Sequence, residues 1–248
     1  MLRPGGGPQE AVTRAVAIEA PVAIEYNGIG YAVMMATPVD LQDFATGFSL
    51  SEGLIAGVSQ LHGVDLHEAD NGWILRIQIS GQGAETVHER ARQRVSESSC
   101  GLCGMDNLEQ VVRPLTPISA TIDVGNDAVF RALGALRDHQ PLNALTGGMH
   151  AAAFCRPDGS IVEVREDVGR HNALDKLLGA LAHSGIAPSS GFLLLTARCS
   201  FELVQKAILA NCPLLVTVSV ATSLAVEQAQ KNGLKLICLA RSDSALLG

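Results

Sequence analysis

Cys100 and Cys103, in the stretch SESSCGLCGMDN at residues 96–107, form a C-x-x-C pair among small and polar neighbours. Such a pair can be half of a zinc site, a redox disulfide, or two thiols that handle sulfur. A structural zinc site needs four ligands, usually two such pairs or one pair with histidines at set spacing. Here there is one pair, and Cys155, Cys199, Cys212 and Cys238 stand alone, so the pattern does not favour zinc. A thioredoxin-like pair opens a helix directly after a strand, where the helix N-terminus lowers the thiol pKa. Gly101 and Gly104 instead suggest a mobile loop. Mobility suits a carrier. A thiolate accepts sulfane sulfur from a donor as a persulfide and passes it on, and a second thiol assists release by attacking that persulfide. The plain alternative is two surface cysteines without a role, although exposed neighbouring thiols invite oxidation. A thiol of pKa about 8.5 is mostly protonated at neutral pH, so some local lowering is expected. Arg92 and Arg94 are the nearest cationic residues in sequence.

A second pattern lies in the C-terminal half. Zinc nucleobase deaminases carry H-x-E at a helix start and P-C-x-x-C after a following strand. In GRHNALDKLLG, His171-Asn172-Ala173 opens an expected helix, and LLLTARCSFELV places Cys199 and Glu202 three apart. Ala173 then stands in place of the general acid/base glutamate, Arg198 in place of the proline and Glu202 in place of the second cysteine. This is the layout of a deaminase without its chemistry, whose pocket could still bind a purine nucleotide. Such spacings also arise by chance, with His171 an ordinary cap or core histidine and Cys199 a buried hydrophobe.

These residues need a scaffold. At 248 residues and 47% apolar, the chain can bury one large core or two small ones. Aromatics are only 4%, which suits helices packed on sheet rather than a stacking surface for single strands. A net charge of −7 argues against nucleic-acid binding, though local basic positions could hold one phosphorylated small molecule. No stretch reaches the roughly 18 apolar residues that span a membrane. The opening MLRPGGGPQEAVT lacks the apolar run of a secretory signal and reads as a flexible tail. Six cysteines without a signal read as reduced thiols in the cytoplasm.

The fold class expected is α/β, with an α+β N-terminal part. Residues 1–15 are the tail, 16–113 an N-terminal α+β domain ending in the cysteine loop, and 114–248 a second domain after the prolines of RPLTPI. In the first, alternating apolar residues around Asn27-Gly28 predict a hairpin. Asp40 is an expected N-cap for a helix carrying Leu41, Phe44, Ala45 and Phe48, and Trp73, Leu75, Ile77 and Ile79 share a strand face. In the second, a helix covers DAVFRALGALRDH and a hairpin turns at Asp158-Gly159. A helix with Leu174, Leu177, Leu178 and Leu181 on one side stops near Gly185. Three buried strands, GFLLLTARC, PLLVTVS and LKLICLAR, then alternate with helices, implying mostly parallel pairing.

The segments SSCGLCG, TGGMHAAAF, EDVGRHNALDKLLG, RCSFELVQKA and PLLVTVSVATSLAVEQAQKNGLKLI, in that order, resemble the FdhD family of formate dehydrogenase accessory sulfurtransferases. So does NGIGYAVMMATPVDLQDFATGFSLSEGLI, and the resemblance covers roughly residues 18 to 241. It implies a cytoplasmic sulfur carrier, usually a homodimer, with a cytidine-deaminase-like C-terminal domain and no intrinsic metal. Such proteins take sulfur from a cysteine desulfurase and deliver it to the bis-molybdopterin guanine dinucleotide form of the molybdenum (or tungsten) cofactor before its insertion into formate dehydrogenase. By motif, Cys100 is the persulfide-bearing position and Cys103 its partner, and the cofactor-binding segment falls on Leu239, Ala240, Arg241, Ser242, Asp243 and Ser244. Family chains commonly continue with a basic or aromatic stretch, where this one reads SDSALLG.

A cofactor with two pyrophosphates and two guanines must be held by placed donors in an acidic protein. Arg170, Arg198, Arg241, His150, His171 and the backbone N–H groups of Gly147-Gly148 are the candidates. Each has a structural alternative: Arg170 paired with Asp167 or Glu166, Asp175 and Lys176 as a solvated helix face, Gly147-Gly148 as a tight turn. Two other functions compete with sulfur transfer, a zinc-dependent deaminase, against which Ala173 speaks, and a chaperone that presents cofactor without carrying sulfur.

Overall fold

The computed structural model describes residues 13–95, 115–241 and 243–247, with backbone alone for 91–95. The hairpin expected at Asn27-Gly28 forms between β1 (Ala20–Tyr26) and β2 (Ile29–Ala36). Both turn residues have positive φ, 51° and 81°, the twist that a two-residue hairpin requires. The Asn27 side chain also clasps a neighbouring strand: it donates to the Ile79 carbonyl and accepts from the Ile79 N–H, both at 3.0 Å. With β3 (Leu61–Ala69) and β4 (Gly72–Ile79) the hairpin makes a four-stranded sheet ordered β2-β1-β4-β3. Alternation buries Val22, Ile24, Tyr26, Leu75, Ile77 and Ile79 on one face, where α1 (Leu41–Ser51) contributes Phe44 and Phe48 and α2 (Gln82–Val95) contributes Val87. Asp40 occupies the N-cap place of α1 but caps nothing. Its backbone is left-handed, φ 52°, and its carboxylate lies 3.7 Å from Arg165 instead of bonding the helix N–H groups.

The second sheet has six strands in the order β10-β9-β8-β7-β5-β6. The chain reaches it through α3 (Asn126–Leu136) and the short α4 (Pro141–Thr146). The hairpin of β5 (His150–Cys155) and β6 (Ile161–Asp167) follows, turning at Asp158-Gly159 as expected. Then come α5 (Arg170–His183), β7 (Phe192–Leu195), α6 (Phe201–Leu209), β8 (Leu214–Thr217), α7 (Ser223–Asn232) and β9 (Lys235–Cys238). A two-residue strand, β10 (Leu246–Leu247), folds back on β9. The expectation of mostly parallel pairing is corrected. β7, β8 and β9 are parallel, but the β5–β6 hairpin, the β5–β7 pair and β10 are antiparallel. The four-residue strands are apolar throughout because both faces are covered, by α5, α6 and α7 on one side and α3 on the other.

The two sheets meet where α1 crosses α5. A Cβ on Gly47 would lie 1.7 Å from the Asp175 carbonyl oxygen, and one on Gly179 1.9 Å from that of Asp43. The helices therefore touch backbone to backbone. This overturns the reading of Asp175 and Lys176 as a solvated face, since they are 1% and 0% exposed. The Lys176 ammonium donates to Asp167 at 2.6 Å and to the Thr37 carbonyl at 2.9 Å. Asp167 also accepts from the Thr37 N–H, 3.0 Å, and the Asn172 amide, 3.0 Å. Asp175 accepts from Lys206 at 2.7 and 2.8 Å and from the Ser51 hydroxyl at 2.6 Å. Burial pushes the Asp175 carboxyl up against the pull of Lys206, and pushes the Lys176 ammonium down against the pull of Asp167.

Two outcomes follow from this crossing. Gly179→Ala should lose about 3 kcal/mol by urea denaturation, because neither backbone can move aside; a loss within experimental error would mean the helices tolerate separation. Lys206→Met strands a carboxylate and should lose about 3–5 kcal/mol at neutral pH. That deficit should shrink as pH falls toward 3.8, the ordinary Asp value, because a buried carboxyl of raised pKa takes up its proton before the unfolded chain does. Thermal melts of both proteins across that range check the sign, and a deficit that grows on acidification would contradict it.

Candidate functional site

β7, β8 and β9 end together at the residues Thr196, Val218 and Leu239. β6 runs the same way, both it and β7 being antiparallel to β5, so Asp167 ends and His150 begins at this edge. Ligands of open α/β sheets gather outside the carboxyl ends of the strands, and most candidate residues lie here. Arg170 and His171 open α5, and Arg198 is exposed between β7 and α6. Leu239, Ala240, Arg241, Asp243 and Ser244 form the connection from β9 to β10, closed by the Arg241 N–H bonded to the Ser244 carbonyl at 2.8 Å. Ser242 lies outside the described residues.

On the α5–α6 side of the edge, His171 Nε2 is 3.4 Å from the Ser200 hydroxyl and 3.8 Å from the Glu202 carboxylate. The neighbouring His171 ring, with lesser help from backbone and the Ser200 hydroxyl, holds Glu202 down at about 2 despite its partial burial. Burial, then the Arg170 and His171 charges, push His150 below its ordinary value. Arg170 does not take the partners considered for it. Asp167 is committed to Lys176, and Glu166 accepts from the Leu142 and Asn143 N–H groups at 2.8 Å each, capping α4. The Arg170 Nε is buried without a hydrogen-bond partner among the described residues. Ala173 and Cys199 are 1% and 0% exposed and belong to the core. Cys199 is pushed up by its bond to the Cys238 thiol and by burial, so it stays a neutral thiol.

On the α3 side of the same edge lies a cavity of about 630 Å³. Arg14, Arg137 and Arg241 line it with Gln140, Asn143 and Thr196, and among the described residues no acidic one does. Ala240, 1% exposed, closes its floor next to Arg241. Arg241 was foreseen, but Arg14, Arg137, Gln140 and Asn143 were not. Arg14 belongs to the stretch read as tail, and the one signal for the others is the helix-breaking Pro141 that turns the chain over the edge. Gly147 also lines the cavity, at φ 68°. The backbone donors expected of Gly147-Gly148 are committed, Gly147 N–H to the Asn143 carbonyl at 2.7 Å and Gly148 N–H to the Thr146 hydroxyl at 3.2 Å. The pair forms the turn, and the cations are side chains.

A larger cavity, about 870 Å³, lies at the other edge, between α2, the end of α1 and the turns that lead into β7 and β8. Its cations are occupied: Arg90 donates to the Tyr31 hydroxyl at 2.8 Å and faces Glu52 at 3.6 Å, and Lys206 is held by Asp175. Cys100, Cys103 and the side chains of Arg92 and Arg94 lie outside the described residues. Described chain leaves at Val95, the end of α2, and resumes at Leu115. There Ile118 N–H bonds the Asn232 carbonyl at 2.9 Å and Ser119 N–H the Asn211 side chain at 3.1 Å. Both anchors belong to the edge opposite the arginine-lined cavity.

Among the described residues no helix is long and apolar enough to cross a membrane. The model of the FdhD/NarQ family matches residues 17–247. The chain is 46% identical over 232 residues to the sulfur carrier protein FdhD of Variovorax paradoxus, covering 94% of this chain and 84% of that one. It is 41% identical over 249 residues to that of Bordetella bronchiseptica, covering 100% and 90%. Its fold is similar to a crystal structure described as a formate dehydrogenase accessory protein from Desulfotalea psychrophila, with a TM-score of 0.78 at 21% identity over 100% of this chain and 93% of that one. A family match over nearly the whole chain, carried by relatives of more than 40% identity, makes this protein a member of the FdhD/NarQ family.

Proposed function

We propose that this protein is a persulfide sulfur carrier. In this reading it takes sulfur from a cysteine desulfurase and delivers it to the bis-molybdopterin guanine dinucleotide cofactor destined for formate dehydrogenase. The relatives' common name, sulfur carrier protein, supports the carrier role. The observation that carries the cofactor half is the arginine-lined, acid-free cavity: in a chain of net charge −7, three guanidinium groups meet around one space of about 630 Å³ beside Ala240 and Arg241. That is a site for phosphate oxygens next to an apolar wall, the two requirements of a nucleotide end.

The chemistry assigned to the pair is sulfur exchange. The Cys100 thiolate attacks the terminal sulfur of the donor persulfide, forming Cys100–S–SH and releasing the donor's thiolate. A nucleophilic atom of the acceptor then attacks the terminal sulfur, its electron pair making the new bond to sulfur while the S–S bond breaks and Cys100 returns as thiolate. When Cys103 attacks Cys100–S–SH instead, a disulfide forms and sulfide leaves. Thiols used this way must be kept reduced, which supports a cytoplasmic setting, and the family resemblance adds a homodimer as the working form. Arg170, with an unpartnered Nε, and Arg198, exposed at the same edge, are the donors proposed for the remaining phosphates. A deaminase is disfavoured by a buried Ala173 where the proton-transferring carboxylate would stand.

Incubating the reduced protein with a cysteine desulfurase and cysteine, then taking intact masses, tests the carrier half. Wild type and Cys103→Ala should each gain one sulfur and Cys100→Ala none. No gain in wild type, with desulfurase activity confirmed in the same tube, would transfer the function to a cofactor-presenting chaperone.

A further inference from the structure

Gln140 carries a buried side-chain donor that the described fold does not use. It lies between α3 and α4 with its backbone bonded on both sides, its N–H to the Arg137 carbonyl at 3.3 Å and its carbonyl to the Ala144 N–H at 2.9 Å. The residue is 6% exposed and lines the arginine cavity, yet its Nε2 has no hydrogen-bond partner among the described residues. Buried amide donors are nearly always paired, and an exception calls for an explanation. The explanation offered by the surroundings is a ligand atom. Arg14, Arg137 and Arg241 already furnish the charged donors for phosphate. Gln140 is neutral and dry, next to the apolar side chains of Phe130, Leu133 and Leu136 from α3, a wall suited to the flat face of a base.

We propose that Gln140 is the specificity-determining residue of this cavity, donating its side-chain amide to the 6-carbonyl oxygen of a bound guanine. The inference rests on the reading of the cavity as the nucleotide end of the cofactor site, and it names the atom by which that site selects its base. At the same position adenine carries an amino group, which cannot accept from Nε2, so Gln140 pairs with it only by turning its amide over from the orientation the structure shows. A polar site rejects the wrong partner more strongly than an apolar one for this reason. Hypoxanthine keeps the 6-carbonyl and lacks only the 2-amino group, so it should be accepted nearly as guanine is.

The test is calorimetric titration of the full-length protein with GDP, IDP and ADP. Wild type should bind GDP and IDP within a few-fold of each other and ADP about tenfold or more weakly, the worth of one hydrogen bond lost in a dry site. Gln140→Leu should weaken GDP and IDP and bring all three nucleotides to within about twofold. Gln140→Met, which keeps the length of the side chain, should do the same and decides the matter if the leucine variant melts early. Arg137→Gln should weaken all three alike and keep their order. If wild type prefers GDP and the Gln140 variants keep that preference, the base is read elsewhere and the assignment of Gln140 falls while the nucleotide cavity stands. If wild type binds none of the three, the cavity is not a nucleotide site, and both readings fall together.

Discussion

The backbone contact of α1 with α5 is the constraint on which the remaining arrangement depends. Two glycines, Gly47 and Gly179, remove the side chains that would hold these helices apart. Water is excluded from the crossing, and each charged group that the helices carry into it must find its opposite there. Lys176 meets Asp167 at the end of β6, and Asp175 meets Lys206 on α6. The first pair sets the turn from which Arg170 and His171 emerge. The second ties α6 to the same point and fixes where its first turn, with Ser200 and Glu202, meets the sheet edge. The placement of the candidate residues is thus inherited from two small residues far from any of them.

The two cavities differ in how their cations are employed. In the larger, Arg90 and Lys206 are neutralised by local carboxylates, so the space is an apolar recess with little field. In the smaller, three arginines face a space that no described acidic side chain lines. An acidic protein repels anions at long range, and a concave positive patch with low-dielectric walls concentrates what attraction remains into one spot. Size does not distinguish their chemistry; the balance of charge paired and not paired among the described residues does.

Local chemistry was legible in the sequence. Asn27-Gly28 and Asp158-Gly159 specify their hairpins through residues that tolerate positive φ, and Leu174, Leu177, Leu178 and Leu181 mark the buried side of α5. Cys199 was readable as core by type. Features that depend on contacts between distant segments were not. Asp175 and Lys176 look like a solvated pair until α1 is laid against them, and nothing near residue 175 announces Gly47. Asp40 has the right type for a cap, but its left-handed backbone and the Arg165 guanidinium draw its carboxylate elsewhere. The arginine cavity is assembled from the irregular segment before β1, the break before α4 and the β9–β10 connection, so no window of sequence holds it. β10 escaped notice because two residues leave no periodicity to read.

The composition break near residue 113 looks like a joint between two exchangeable modules, and the buried pairs deny it that property. Thr37 offers both its N–H and its carbonyl to Asp167 and Lys176, and Ser51 offers its hydroxyl to Asp175. A chain severed at the joint would leave one fragment with the bare glycine face of α1 and the other with charged groups deprived of part of their solvation shell. Recombination that swapped one half for that of an unrelated protein would face the same deficit. The two halves are therefore expected to fold as a single unit, a change at the crossing in one half calling for a matching change in the other.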